Sequence, residues 1–245
     1  MLNQQTQSKL QQLQLSGMAK AYRDQLEQPR MQELPFDDRL GLMVDRELSE
    51  RENRKLSRLL KQAKLRYAAH LEDVDYRSSR GLDKQVIAGL TGCSWIGQQQ
   101  NLLLTGATGT GKSWLACAFG NQACRQGFTT YYCTSTRLFE DIARSHADGS
   151  LPKLRRQLIR TQLLIIDDLG IGGIEKHLGP VLLEIIDQQS MNGALLLTSQ
   201  FPTEKWYDLF GDPTIADAIL DRIVHRAHML PLSGESMRKR KGKKL

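Results

Sequence analysis

The chain has 245 residues, a net charge of +7 and a sequence pI near 9.3, with 25% charged and 40% hydrophobic residues. That length suits one nucleotide-sized domain with a smaller appendage and rules out a chain too short to bury a core. No apolar run reaches the roughly 18–20 residues of a membrane span, and the N-terminus MLNQQTQSKLQQLQL has no apolar signal core, so a cytoplasmic protein without membrane contact is expected.

Residues 1–28 carry a helical rhythm in Leu10, Leu13, Met18, Tyr22 and Leu26, which Pro29 and Pro35 interrupt. Asp37 and Asp38 offer N-cap chemistry, and a long helical pattern follows to about Tyr67. Leu56, Leu59, Leu60, Ala63 and Tyr67 share one face of it. Arg51, Arg54, Lys55, Arg58 and Lys61 fall on another, with only Glu52 offsetting them locally. Most charge runs are solvated surface, but excess basic charge also suits a nucleic-acid partner, so this face is a candidate DNA-binding surface. Residues 1–69 thus read as a small all-helical domain for DNA or a partner, and 70–100 as a connector with a short helix around Leu82–Leu90.

Beyond the connector the rhythm changes. Short apolar segments at 101–105, 129–134, 162–167, 194–199 and 228–232 alternate with helical patterns at about 112–126, 136–147, 177–191 and 214–227. This alternation predicts an α/β domain over 101–235, with five parallel strands flanked by helices. A basic, flexible tail is expected from Ser236 to Leu245. Cys93, Cys117, Cys124 and Cys133 form neither a CxxC pair nor a cluster with His, so reduced thiols without a metal are expected.

The segment Gly106-Ala107-Thr108-Gly109-Thr110-Gly111-Lys112-Ser113 matches the P-loop pattern between a predicted strand and a predicted helix. Its glycines let backbone N–H groups turn toward phosphate oxygens, Lys112 can reach the β- and γ-phosphates, and Ser113 can ligate Mg²⁺. LLIIDD at 163–168 reads as a buried strand ending in two acids, the Walker B pattern. Asp167 would hold Mg²⁺, directly or through water, and Asp168 would polarise the attacking water. Two adjacent acids argue against a small-molecule kinase, which need not activate water. LLLTSQ at 195–200 predicts a strand between the other two, with Ser199 or Gln200 near the γ-phosphate. In AILDRIVHRA, 218–227, Arg222 and Arg226 lie four apart on a predicted helix and are candidates for an arginine finger that reaches a neighbouring subunit's nucleotide.

With these motifs the chain resembles the IstB-type transposition helper ATPases, AAA+ proteins of insertion sequences related to the DnaC-type helicase loaders. The resemblance runs through LSGMAKAY, RGLDKQVIAGL, WIGQQQNLLLTGATGTGKS, LLIIDDLG, LLLTSQFPTEKW and DPTIADAILDRIVHRAHMLPLSGESMR. It implies an AAA+ domain that hydrolyses ATP with Mg²⁺ in a site completed between subunits. Lys112, Asp168, Gln200 as the sensor 1 residue and Arg222 as the finger would be catalytic, with Arg226 as second choice and Arg238 in a sensor 2-like position. It also implies assembly into a ring or spiral on duplex DNA, and recruitment or stimulation of a cognate transposase. A helicase loader using the same engine is the alternative. Relatives often carry an arginine after the helix following Walker B, where this chain has Gln188 and Gln189. A separate helical lid is expected to be absent or reduced.

Overall fold

The computed structural model describes residues 2–76, 80–171, 174 and 176–237. They pack as two units, 1–58 and 59–245. The boundary falls earlier than residue 69, where the sequence pattern placed it. Residues 59–100 are not a bare connector either. Ala69, Leu71, Val74, Ile87, Leu90, Trp95 and Ile96 join the same apolar core as the first strand of the larger unit.

In the smaller unit, α1 (Leu2–Gln12), α2 (Ser16–Glu27) and the short α3 (Pro29–Gln32) precede α4 (Phe36–Ala63), which continues past the boundary. The single helical rhythm of residues 1–28 is two helices, because Gln14 adopts a left-handed conformation at φ 58°. Leu15 offers α2 no side-chain cap. The buried Glu47 of α4 supplies one instead: its carboxylate accepts the N–H groups of Gly17 at 2.7 Å and Met18 at 3.2 Å. An anion at a helix N-terminus satisfies donors that the helix itself leaves open. The approach demands glycine, since a Cβ on Gly17 would lie 2.6 Å from Glu47 Cα and 2.7 Å from the Arg46 carbonyl oxygen. Gly17→Ala is therefore expected to push α2 off α4 and cost about 1–3 kcal/mol. Limited proteolysis should then cut residues 1–58 faster, with ATP binding retained; unchanged protease resistance would show that the extra methyl is accommodated without parting the helices.

Helix α4 starts at Phe36, so Asp37 and Asp38 sit in its first turn rather than at its cap. It stops at Ala63 rather than Tyr67, because Lys64 turns left-handed at φ 53°. The chain continues through α5 (Lys84–Thr91), capped by the Asp83 carboxylate on the Gln85 N–H at 2.6 Å, and α6 (Ser94–Gly97). Trp95 of α6 is buried edge-on to Phe119 with ring centroids 6.5 Å apart.

Then follow β1 (Asn101–Gly106), α7 (Lys112–Arg125), β2 (Thr130–Thr134), α8 (Ser135–Ala147), α9 (Leu151–Ile159), β3 (Leu163–Leu169), α10 (Gly179–Asn192), β4 (Ala194–Ser199), α11 (Pro213–Val224) and β5 (Ala227–Leu232). The predicted strands and their intervening helices are all present. Helix α9 lacks a predicted counterpart, although Leu151, Leu154 and Leu158 recur at helical spacing. The five strands form one parallel sheet in the order β2-β3-β4-β1-β5. Alternate residues face opposite cores: Leu102, Leu104, Leu163 and Ile165 join one, Leu103, Leu164 and Ile166 the other. The apolar runs of β1, β3 and β4 are covered on both faces, whereas the edge strand β5 is partly exposed. Among the described residues no helix is long and apolar enough to cross a membrane.

Candidate nucleotide site

The parallel sheet brings the ends of β1, β3 and β4 side by side, with β4 between the other two. Ligands of open parallel sheets bind at this carboxyl edge. After β1 the P-loop turns back into α7. Gly106 at φ 141° lies so close to β5 that a Cβ would fall 2.0 Å from the Leu232 carbonyl oxygen, and a Cβ on Gly109 would strike Ser236. The loop braces itself through the Thr110 hydroxyl, which donates to the Ala107 carbonyl at 2.9 Å. The buried Lys112 donates its Nζ to the carbonyls of Gly106 at 2.7 Å and Ala107 at 3.0 Å. Burial lowers the pKa of Lys112, and the charges of Asp168 and Asp167 partly offset this.

At the end of β3 the pairing with β4 slips between Ile166 and Leu169. This bulge re-aims the two acids. Asp167 is fully buried: one carboxylate oxygen accepts the Tyr132 hydroxyl at 2.6 Å, the other the Thr198 hydroxyl. Burial and the neighbouring Asp167 push the Tyr132 phenol far up, so it stays a donor. Asp168 turns left-handed at φ 60° and faces a cavity of about 840 Å³. Its N–H donates to Thr198 Oγ1 at 2.9 Å, and its carbonyl accepts the Ser135 hydroxyl at 2.8 Å.

Thr108, Gly109, Gly111, Lys112 and Ser113 line this cavity together with Asp168 and Gln200. Ser199, the alternative to Gln200, is buried and donates its hydroxyl to the Leu169 carbonyl. Residues outside the motifs close the other wall: Arg66, Tyr67 and Ala68, then Asp73, Asp75 and Arg80. Arg66 stacks over the Tyr67 ring at 5.4 Å. The early end of α4 frees this stretch to serve as wall, and no glycine or proline announces that end. Trp114 and Met237 also line the cavity. Ser236 and Met237 are therefore packed against the P-loop rather than part of a flexible tail. The Met237 N–H donates to the Gly109 carbonyl at 2.8 Å, while 238–245, Arg238 included, lie outside the described residues.

Arg222 does not line the cavity. Its Nε donates to Asp187 of α10 at 2.6 Å and its Nη1 to the Ala218 carbonyl at 2.8 Å. Helix α11 ends at Val224, so Arg226 lies beyond it, exposed, and is not the helical partner of Arg222. The Asn101 side chain donates to the carbonyls of Arg222 and Ile223 and accepts the Leu195 N–H, tying the end of α11 to β1 and β4. Gln189 is buried and donates to the carbonyls of Thr161 and Ala194. It holds α10 in place.

The basic residues Arg51, Arg54, Lys55, Arg58 and Lys61 are all exposed on α4. Glu52 is not their only local offset. Glu47 pairs with Arg51 at 2.7 Å and Arg54 at 3.4 Å, a turn or two up the helix.

The IstB-like ATP binding protein family matches residues 8–245. The chain belongs to this family of AAA+ P-loop ATPases. A Sinorhizobium fredii protein named as an insertion-sequence ATP-binding protein is 43% identical over 244 residues, covering 100% of both chains. The protein of that type named for insertion sequence IS1162 in Pseudomonas fluorescens is 48% identical over 204 residues, 83% of this chain and 88% of the relative. Among solved structures, the AMPPCP-bound DnaA of Aquifex aeolicus superposes with a TM-score of 0.59 at 20% identity, over 74% of this chain and 57% of that one. DnaI superposes at 0.57 and 20% identity, over 72% and 94%. These two likenesses show a shared fold.

Proposed function

We propose that this IstB-like ATPase assembles on duplex DNA as an ATP-dependent regulator that bends or marks the target and recruits or stimulates a transposase. The observation that carries the reading is the division of the site. The P-loop, Asp168 and Gln200 share one cavity, while Arg222 stands outside it on the same subunit. A site so divided is completed by a neighbour's arginine, and hydrolysis then depends on assembly. The full-length likeness to insertion-sequence proteins supplies the context.

In this reading Lys112 contacts the β- and γ-phosphates, and Gln200 contacts the γ-phosphate or the lytic water. Asp168 polarises that water. Ser113 and Asp167 would hold Mg²⁺, whose charge neutralises the phosphate oxygens as the bond breaks. Both oxygens of Asp167 accept protein hydroxyls, which fix the orientation of its carboxylate. Arg54, Lys55 and Arg58 meet DNA phosphates without reading bases.

Sedimentation with duplex or single-stranded DNA, under ATP, ADP or no nucleotide, tests the proposal. A large complex is expected only with ATP and duplex. A preference for single strands would favour a helicase loader instead. Reversing Arg54, Lys55 and Arg58 to Glu should weaken duplex binding and flatten its salt dependence by roughly 0.9 in log–log slope per lost phosphate contact. An unchanged slope would leave this face as solvated surface.

A further inference from the structure

The RGLD stretch lies far from the P-loop in sequence, and the roles above do not use it. In the structure Arg80 is only 5% exposed, yet it lines the nucleotide cavity with Thr108, Gly109 and Lys112. Its Nη1 lies 3.1 Å from the point a Cβ on Gly111 would occupy, so the guanidinium rests on the loop just ahead of Lys112. Its Nη2 donates to the Asp75 carbonyl at 2.7 Å. The Arg80 carbonyl accepts the Ser233 N–H at 2.9 Å, and Gly81, left-handed at φ 73°, packs on the Pro231 carbonyl. The guanidinium is thus held by the Asp75 carbonyl, and the Arg80 backbone by the segment after β5.

We infer that Arg80 is a second cationic phosphate ligand, acting in cis beside the loop that carries Lys112. The inference rests on the cavity being the ATP site. The planar fork of a guanidinium suits phosphate oxygens better than a point charge does. Lys112 approaches the phosphates from inside the loop; Arg80 approaches from outside, already oriented, so little side-chain freedom is lost on binding. This also accounts for glycine at 81: the turn that presents Arg80 needs a left-handed residue against β5.

The test compares wild type, Lys112→Ala, Arg80→Ala and Arg80→Lys. It measures ATP affinity by titration calorimetry, adenosine affinity by competition, and the melting temperature without nucleotide. Arg80→Ala should bind ATP roughly ten-fold to a hundred-fold more weakly. Its adenosine affinity and melting temperature should match wild type, and Arg80→Lys should recover part of the loss. ATP affinity unchanged in Arg80→Ala, or lost equally for adenosine, would reduce Arg80 to a pin between Asp75 and the segment after β5. Should Arg80→Ala fail to fold, Arg80→Lys decides: wild-type ATP affinity in that variant overturns the inference. Failure of wild type itself to bind ATP would instead remove the nucleotide reading. Wild-type binding, its loss in Lys112→Ala and retention in both Arg80 variants would remove this inference alone.

Discussion

Asp168→Asn is expected to stop turnover while ATP remains bound. The substitution removes the carboxylate that would polarise water, a contribution of about 10²- to 10⁴-fold. It leaves the backbone in place for two reasons. Asparagine tolerates the left-handed conformation that position 168 adopts at φ 60°. The bonds to Thr198 and Ser135 are made by the main chain of residue 168 and do not involve its carboxylate. Removing a negative charge from a cavity built for a triphosphate should also hold ATP as tightly or more tightly. Phosphate release and ATP affinity, measured on the same preparation, check both halves. Turnover within about ten-fold of wild type would exclude Asp168 as the water-activating group.

Arg222→Ala should lose about 10³- to 10⁵-fold in turnover, the range found for arginine fingers. Its own cavity, P-loop and Asp168 would be intact. Mixing it with Asp168→Asn should therefore restore activity, because each variant supplies what the other lacks across a shared interface. The contact with Asp187 sharpens this test. If Arg222 only fastened α11 to α10, the variant would lose a half-exposed ion pair, about 0.2–1 kcal/mol. Mixing would then restore nothing. Absence of complementation, in assemblies shown to contain both chains, would refute the finger assignment. If Arg222 reaches another subunit it must leave Asp187, which would then compete with the neighbour's phosphate for the same guanidinium.

What the sequence made legible was local. The central strands β1, β3 and β4 carry continuous apolar runs because both sheet faces are covered there, and the P-loop and paired acids carry their chemistry within a few residues. Long-range features were not legible. Glu47 caps a helix begun 30 residues earlier in the chain. Tyr132, Asp167 and Thr198 meet only because three strands take one register. Arg66 enters the cavity just past a helix end that no breaker residue marks, since Lys64 adopts its left-handed turn without being glycine or asparagine. Helix α9 is short and basic, and its three leucines follow a loop in a pattern too brief to separate from it.

Cys93, Cys117, Cys124 and Cys133 are all free and all buried in the larger unit. Burial pushes Cys93 up to about 11 and also raises Cys117, Cys124 and Cys133. Protonated thiols packed away from solvent are poor nucleophiles. The folded protein is thus expected to react slowly with maleimides and disulfide reagents without any native cysteine being removed. A single cysteine introduced on the exposed surface of α11 would be the only reactive thiol in the fold, and cross-linking from it would report which surface of one subunit meets the next.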